Sequence, residues 1–339
     1  MKTEELKRID NSGMYKIYDK WPEIAKESYF TDINQFDVKD IDHIIFAGMG
    51  GSGTIGDVMK SILSKEDIHV NVNKGYTLPS TVDKNTLIVI SSVSGNTHET
   101  LSILKQAYHS DAKIIAFASG GKIEKFCIEK NIEFRKIPME HSPRASFPRF
   151  FFSILSILRN IIPITQEEIN ESISMLEKTR TLINSDNLNS ENISLRIAEW
   201  INNTPVIYYA RGLSAVATRF KNSLQENSKI HVIIEELLES SHNGIVAWNE
   251  NRALQPILIK GKDDHIKTKE RWDIIKEFFN TKDLQFFEIN SVDGNILSKI
   301  INLIYVTDFA TIYLSILENI DPSPVEAIDF VKKKIEGLK

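Results

Sequence analysis

One pattern, an apolar strand followed by a turn of small residues, occurs twice in this chain and constrains its fold most strongly. Residues 45–53 read Ile-Phe-Ala-Gly-Met-Gly-Gly-Ser-Gly, and residues 207–215 read Ile-Tyr-Tyr-Ala-Arg-Gly-Leu-Ser-Ala. When the two segments are aligned, Gly50 pairs with Gly212. Self-similarity at this scale indicates two copies of one structural unit. A chain of 339 residues is also long enough for two domains of ordinary size.

Strands and helices alternate through each copy. Such alternation predicts right-handed crossovers and a parallel sheet covered on both faces, which is the α/β class. In the first copy, strands are predicted at 42–47, 68–73, 86–90, 113–118 and 132–137, with helices at 54–63, 98–105 and 122–130. In the second copy, strands are predicted to begin at 207 and to occupy 230–235, 256–260 and 284–289.

These patterns divide the chain into four parts. An N-terminal helical segment at 1–37 is expected to pack over the first domain, which occupies 38–150. Connecting helices at 151–203 lead to the second domain at 204–339. The domain boundaries follow from where the strand pattern begins and stops.

The segment Ser91–Thr97, Ser-Ser-Val-Ser-Gly-Asn-Thr, follows the third strand and precedes a helix. Such a turn offers unpaired backbone N–H groups, the positive end of a helix dipole and several hydroxyl donors. This combination suits a phosphate ester. An ordinary cluster of helix-capping residues is the alternative, because Ser, Thr and Asn also cap helices without binding a ligand.

The first glycine turn, Gly48–Gly53, has the spacing G-x-G-x-x-G. A dinucleotide site would also need an acidic residue at the end of the second strand to hold the ribose. Here that strand ends in Asn73 and Lys74. The first copy also carries the serine-rich turn, which the second copy lacks. Two turns of small residues at one edge of the sheet favour a site for a single phosphate over a site for a dinucleotide.

Composition excludes several classes of function. The net charge of −5 leaves no basic field for a nucleic-acid backbone or an anionic membrane surface. Cys127 is the single cysteine, so no internal disulfide can form, and a cytoplasmic location is expected.

The apolar run at 147–164 is interrupted by Arg149, Arg159 and Pro163, which favours a buried helix over a membrane span. The eight histidines never adopt a paired metal-ligand spacing, so we expect no metal site.

Six motifs together resemble the paired sugar-isomerase (SIS) domains of the bifunctional phosphoglucose/phosphomannose isomerases. The resemblance implies an α/β fold of two SIS domains, each a flavodoxin-like parallel sheet flanked by helices. It extends from about residue 40 to the C-terminus. The motifs are Gly48-Met-Gly-Gly-Ser-Gly53, Ser94-Gly-Asn-Thr97, Pro143-Arg-Ala-Ser-Phe147, Glu226-Asn-Ser-Lys229, Ser241-His-Asn243 and Asp321-Pro-Ser-Pro-Val325, the last followed by a lysine.

The resemblance assigns roles to named residues. Arg144 is similar to the arginine that stabilises the enediolate, and Glu226 to the base that moves a proton between C1 and C2. His242 resembles the histidine that assists ring opening and reaches the site from the other subunit of a homodimer. Lys332 resembles the catalytic lysine of the C-terminal helix. The residues implied at the sugar phosphate are Gly50, Gly51 and Ser52 along the site, with Ser92, Ser94 and Thr97 on the phosphate itself.

The implied activity is aldose–ketose isomerisation between glucose 6-phosphate or mannose 6-phosphate and fructose 6-phosphate. This chemistry needs a carboxylate for proton transfer and a cation near the developing oxyanion, but no metal or organic cofactor. Two alternatives stay open from the sequence: a non-catalytic sugar-phosphate sensor, and an isomerase of amino-sugar phosphates. His98 and Glu239 stand in positions where the sequence departs from the usual family motifs, and these departures bear on substrate preference.

Overall fold

The structure, a computed structural model, describes residues 1–31, 34–250 and 253–337. Its first half contains a five-stranded parallel sheet with the order β2-β1-β3-β4-β5. All five predicted strands are present, and this order is the flavodoxin-like one. The strands are β1 (His43–Ala47), β2 (His69–Asn73), β3 (Thr86–Ser92), β4 (Lys113–Ala118) and β5 (Glu133–Lys136).

The second half contains a four-stranded parallel sheet with the order β7-β6-β8-β9, which repeats the order of the first four strands. Two strands begin three residues later than predicted. The strand predicted at 230 begins at Ile233 because Lys229 adopts a left-handed conformation with φ 60°. The strand predicted at 284 begins at Phe287 because the Leu284 N–H donates to the Phe279 carbonyl at the end of the preceding helix. The strands are β6 (Thr204–Tyr209), β7 (Ile233–Glu236), β8 (Leu254–Lys260) and β9 (Phe287–Asn290).

Helices cover both sheets and fill the space between them. The glycine turn is shorter than predicted, because the helix expected to start at residue 54 already starts at Gly50. The helices are α1 (Thr3–Ile9), α2 (Tyr15–Asp19), α3 (Trp21–Phe30), α4 (Gly50–Ile62), α5 (His98–Ala107), α6 (Gly121–Lys130), α7 (Phe147–Ile157), α8 (Gln166–Ile183), α9 (Ile193–Trp200), α10 (Ser214–Ser223), α11 (Leu237–Ser240), α12 (Ile266–Thr281), α13 (Ile296–Leu317) and α14 (Glu326–Gly337).

Helix α13 is the central element of the hydrophobic core. Within the described residues it is the one helix long and apolar enough to cross a membrane, yet 94% of its most apolar window is buried inside the protein. It packs against α8, α9 and α10. Its burial on all sides marks it as a core helix. Helix α7, in the apolar run at 147–164, is buried in the same core, as the sequence predicted.

The N-terminal helices, which we expected over the first domain, contact α7 and also α13 of the second half. Trp21 stacks on Tyr305 of α13 at a centroid distance of 5.1 Å, and the Tyr305 hydroxyl donates to the Tyr18 carbonyl at 2.8 Å. Both rings are fully buried. One hydrophobic core therefore includes this segment together with residues of both halves.

Candidate active site

The turn after β1 and the turn after β3 meet at the switch point of the first sheet, where strand order reverses. A Cβ on Gly48 would lie only 2.8 Å from the Ser91 carbonyl oxygen, so the two chain segments approach closely there. The hydroxyl of Ser52 on α4 accepts the Val93 N–H at 3.2 Å. Helix α4 begins at Gly50, whose φ of 52° favours glycine.

Hydroxyl groups surround the second turn. The Ser92 hydroxyl accepts the Gly95 N–H at 3.2 Å and lies 2.9 Å from the Thr97 hydroxyl. The Ser94 side chain is exposed, and its hydroxyl accepts the Asn96 N–H at 3.3 Å. Two helices, α4 and α5, begin at these turns and present free backbone N–H groups. We call Gly50–Ser52 and Ser92–Thr97 the phosphate cradle, and phosphate binding there stays a prediction.

A cavity of about 750 Å³ adjoins the cradle, and Gly50 belongs to both. Glu226 lines this cavity from one turn of π-helix, Leu224–Ser228, which continues α10. Such turns occur frequently at functional sites because they re-aim a side chain relative to the helix. The opposite wall comes from the loop before α14 and its first turn. The lining residues are Gly50, Asn222, Gln225, Glu226, Lys229, Pro324, Val325, Glu326, Ala327 and Ile328.

The guanidinium of Arg144 is buried beside this carboxylate, with 4% of the side chain exposed. Its Nη1 lies 3.6 Å from Glu226 Oε2. Its Nε donates to Asn227 Oδ1 at 2.6 Å, and its Nη2 donates to the carbonyls of Pro322 and Ser323 at 2.6 and 3.0 Å. Nε and Nη2 of the guanidinium are thus held by protein acceptors, and Nη1 is the nitrogen that points toward the Glu226 carboxylate.

A second buried arginine, which the sequence did not reveal, supports the first. The Arg219 guanidinium pairs with Asp308 of α13 at 2.7 Å and donates to the Arg144 carbonyl at 2.7 Å. A Cβ on Gly51 would lie 3.3 Å from Arg219 Nη1, so α4 also touches this group. A buried charge is tolerated only with such partners. Arg219 therefore ties the cradle helix, the loop of Arg144 and the core helix together.

Two of the four predicted catalytic residues, Lys332 and His242, are exposed and do not line the cavity. Lys332 is exposed on α14, one turn beyond the cavity-lining Ile328. His242 is exposed after α11, in the second domain. The structure thus brings Arg144 and Glu226 together beside the cradle, whereas neither His242 nor Lys332 lines the cavity. Among the described residues, no cluster of three His, Cys, Asp or Glu side chains has the arrangement of a metal site.

Comparison with known proteins identifies two matching families. Residues 38–151 match the SIS domain, and residues 190–335 match the "Bacterial phospho-glucose isomerase C-terminal SIS domain". A bifunctional phosphoglucose/phosphomannose isomerase from Caldicellulosiruptor bescii is 30% identical over 338 residues, which cover 96% of this chain and 100% of that protein. The chain belongs to this isomerase family. The predicted fold of two SIS domains is confirmed.

One further relative and one solved structure are also similar to this chain. A D-glucosamine-6-phosphate 4-epimerase from Sulfolobus acidocaldarius is 30% identical over 249 residues, covering 73% of this chain and 77% of that protein. A hypothetical protein from Thermus thermophilus shares the fold, with a TM-score of 0.76, 12% identity and coverage of 98% of this chain and 93% of that one. One relative is thus named for an activity on an amino-sugar phosphate.

Proposed function

We propose that this protein is a metal-independent isomerase that interconverts glucose 6-phosphate and mannose 6-phosphate with fructose 6-phosphate. The observation that carries the proposal is the Glu226 carboxylate, which faces a cavity beside the cradle and lies 3.6 Å from the buried Arg144 guanidinium. Family membership supports the same activity. We place the enzyme in the cytoplasm, in the sugar-phosphate reactions of glycolysis and gluconeogenesis.

The cradle would anchor the phosphate and thereby orient the rest of the sugar. Ser92, Ser94 and Thr97 supply hydroxyl donors, and the N-terminal turn of α4 at Gly50–Ser52 supplies backbone N–H groups and a positive dipole end. Binding energy from this remote group can be used to place C1 and C2 at the catalytic residues. Gly50 belongs to both the cradle and the cavity, so a sugar held at the cradle by its phosphate can extend into the cavity.

Glu226 would then act as the base. In the aldose-to-ketose direction its carboxylate takes the proton from C2, which gives a cis-enediol, and returns a proton to C1. Negative charge develops on the sugar oxygens during this transfer. Arg144 Nη1 is the donor left to meet that charge, because Nε and Nη2 are already occupied.

Lys332 lies one helical turn beyond the cavity. It follows the cavity-lining Ile328 by four residues, a spacing that places both on one face of α14. Lys334 instead lies over the Phe330 ring at 5.6 Å. We therefore retain Lys332 as the C-terminal catalytic lysine.

His242 would enter the site of a second subunit in a homodimer. It is exposed, and it lies between Leu238 and Val246, which are 41% and 64% exposed. Apolar side chains grouped at the surface favour an interface with another protein surface. A twofold dimer would let each subunit supply His242 to its partner in the same way.

The test is to incubate the purified protein with fructose 6-phosphate and excess EDTA, and to measure glucose 6-phosphate and mannose 6-phosphate by separate coupled assays. Glucosamine 6-phosphate, followed by NMR, serves as the contrasting substrate. We expect both aldose phosphates to form and glucosamine 6-phosphate to be unchanged. Thermal stabilisation by fructose 6-phosphate without turnover would instead identify a sensor, and turnover of the amino sugar alone would identify an amino-sugar enzyme.

A further inference from the structure

We propose that Lys229 is a positioning residue that fixes the wall of the cavity at Pro322–Ile328 relative to Glu226. The inference rests on the proposed function, because it concerns the geometry in which Glu226 works. Lys229 lies directly after the π-helical turn and lines the same cavity.

The ammonium group of Lys229 bridges the two walls of the cavity. Its Nζ donates to the Glu226 carbonyl at 2.5 Å and to the Pro324 carbonyl at 2.7 Å, and it lies 3.4 Å from the Pro322 carbonyl. A lysine ammonium has three donors, and here three carbonyl oxygens surround it. Two donors are bonded to carbonyl oxygens and the third faces a carbonyl at 3.4 Å, which favours a positioning role over a catalytic one.

The bridged loop has few backbone donors of its own before residue 325. Pro322 and Pro324 have no N–H group, and the Ser323 N–H donates to its own loop, at Asp321 Oδ1, 2.9 Å away. The carbonyls therefore depend on external donors. Arg144 reaches the loop from the first domain and Lys229 from the second, so two cations hold one turn.

The backbone of Lys229 is shaped for this contact. Its φ of 60° is in the left-handed region, which residues with a Cβ seldom adopt. This conformation ends the π-helical turn and lets the side chain return to the carbonyl of Glu226, three residues earlier. The same loop leads into α14, which carries Lys332. Lys229 thus couples the position of Glu226 to that of the C-terminal helix.

The test compares Lys229→Met and Lys229→Arg with wild type and with Lys333→Met, a control on the exposed part of α14. Steady-state kinetics use fructose 6-phosphate, and hydrogen–deuterium exchange reports on the backbone of 325–337 in the full-length protein. We expect K229M to lower kcat roughly 10- to 100-fold, with a smaller change in KM and faster exchange in α14. K229R, which keeps a cationic donor, is expected to recover part of both.

Two results would overturn the inference. The first is that K229M has the kinetics and the hydrogen–deuterium exchange of wild type. The second is that K229M and K229R lose kcat equally while their exchange is unchanged, which would make Lys229 a catalytic residue. If K229M does not fold by circular dichroism, Lys229→Gln replaces it under the same criteria. Absence of isomerase activity in the wild type would contradict the proposed function instead, while the exchange comparison would still decide whether Lys229 holds the loop.

Discussion

Arg144 Nη1 and Glu226 Oε2 lie 3.6 Å apart. Arg144 lies in the loop after the last strand of the first sheet, whereas Glu226 lies in the π-helical turn that continues α10 of the second domain. The candidate site is therefore built between the domains, and neither half contains it alone. Packing of α4 against α10 brings the two residues together. Any change that shifts one domain on the other should affect turnover before it affects the fold.

Arg144→Lys should separate charge from geometry. Lysine keeps the positive charge but loses the planar fork that bonds Asn227 and the Pro322 carbonyl. We expect kcat to fall about 10²- to 10³-fold with a small change in KM, because the lost contact acts on the developing oxyanion. Arg149→Lys, in a pair with Glu140 nearer the surface, is the control and should retain activity. Unchanged kcat in R144K would remove Arg144 from the mechanism.

Gly95→Ala should damage the cradle. Gly95 has φ +66°, and a Cβ there would lie 1.7 Å from the Gly120 carbonyl oxygen, which is backbone and cannot move freely. We expect a loss of more than about 1 kcal/mol in unfolding free energy and a large rise in KM for fructose 6-phosphate. Gly212→Ala is the matched control, since nothing lies within 4 Å of a Cβ at that position. Equal KM values in the two variants would show that the turn does not hold the phosphate.

Mixing two inactive variants should restore activity if His242 acts across a dimer. Neither Glu226→Gln nor His242→Ala has a complete site, but their heterodimer has one site with both wild-type residues. After subunit exchange at equal amounts, half of the dimers are mixed, so we expect about a quarter of wild-type activity. Light scattering checks the dimer itself. A mixture no more active than its components, or an active monomer, would contradict the shared site.

Acid should destabilise the protein through His43. Burial and the neighbouring His69 lower the pKa of His43 below its usual 6.5. As the pH falls below 6.5, His43 takes up a proton more readily in the unfolded chain than in the folded chain. The free energy of unfolding is therefore highest above pH 6.5 and decreases as the pH falls. His43→Gln should therefore lose less thermal stability than wild type between about pH 7.5 and pH 5. The exposed His109→Gln should follow wild type; a parallel decline in H43Q would contradict the assignment.

The features predicted correctly from sequence are those with local signatures. The strands of the first sheet and the turn Ser91–Thr97 each follow from neighbouring residues, because strand periodicity and turn chemistry act over a few positions. The resemblance placed Arg144 and Glu226 together before any distance was known. Strand β7 was misplaced at its start because the left-handed conformation of Lys229 has no signal in the sequence.

The features that sequence did not reveal depend on contacts between distant segments. The Arg219–Asp308 pair joins α10 to α13, and no local pattern marks either residue as a partner. Helix α13 is apolar on all sides, so periodicity could not show which face it buries. Lys229 ends the motif Glu226-Asn-Ser-Lys229, but two of its three carbonyl contacts come from a loop almost at the end of the chain.

The proton relay through Glu226 is the central claim, and isomerisation of fructose 6-phosphate in D₂O with EDTA tests it most directly. NMR would follow the aldose products and deuterium at the carbon that receives the proton. We expect wild type to form product with solvent deuterium incorporated, and Glu226→Gln to show neither, while fructose 6-phosphate still raises its Tm. Turnover by E226Q within about tenfold of wild type would contradict the claim, because a general base contributes about 10²- to 10⁴-fold.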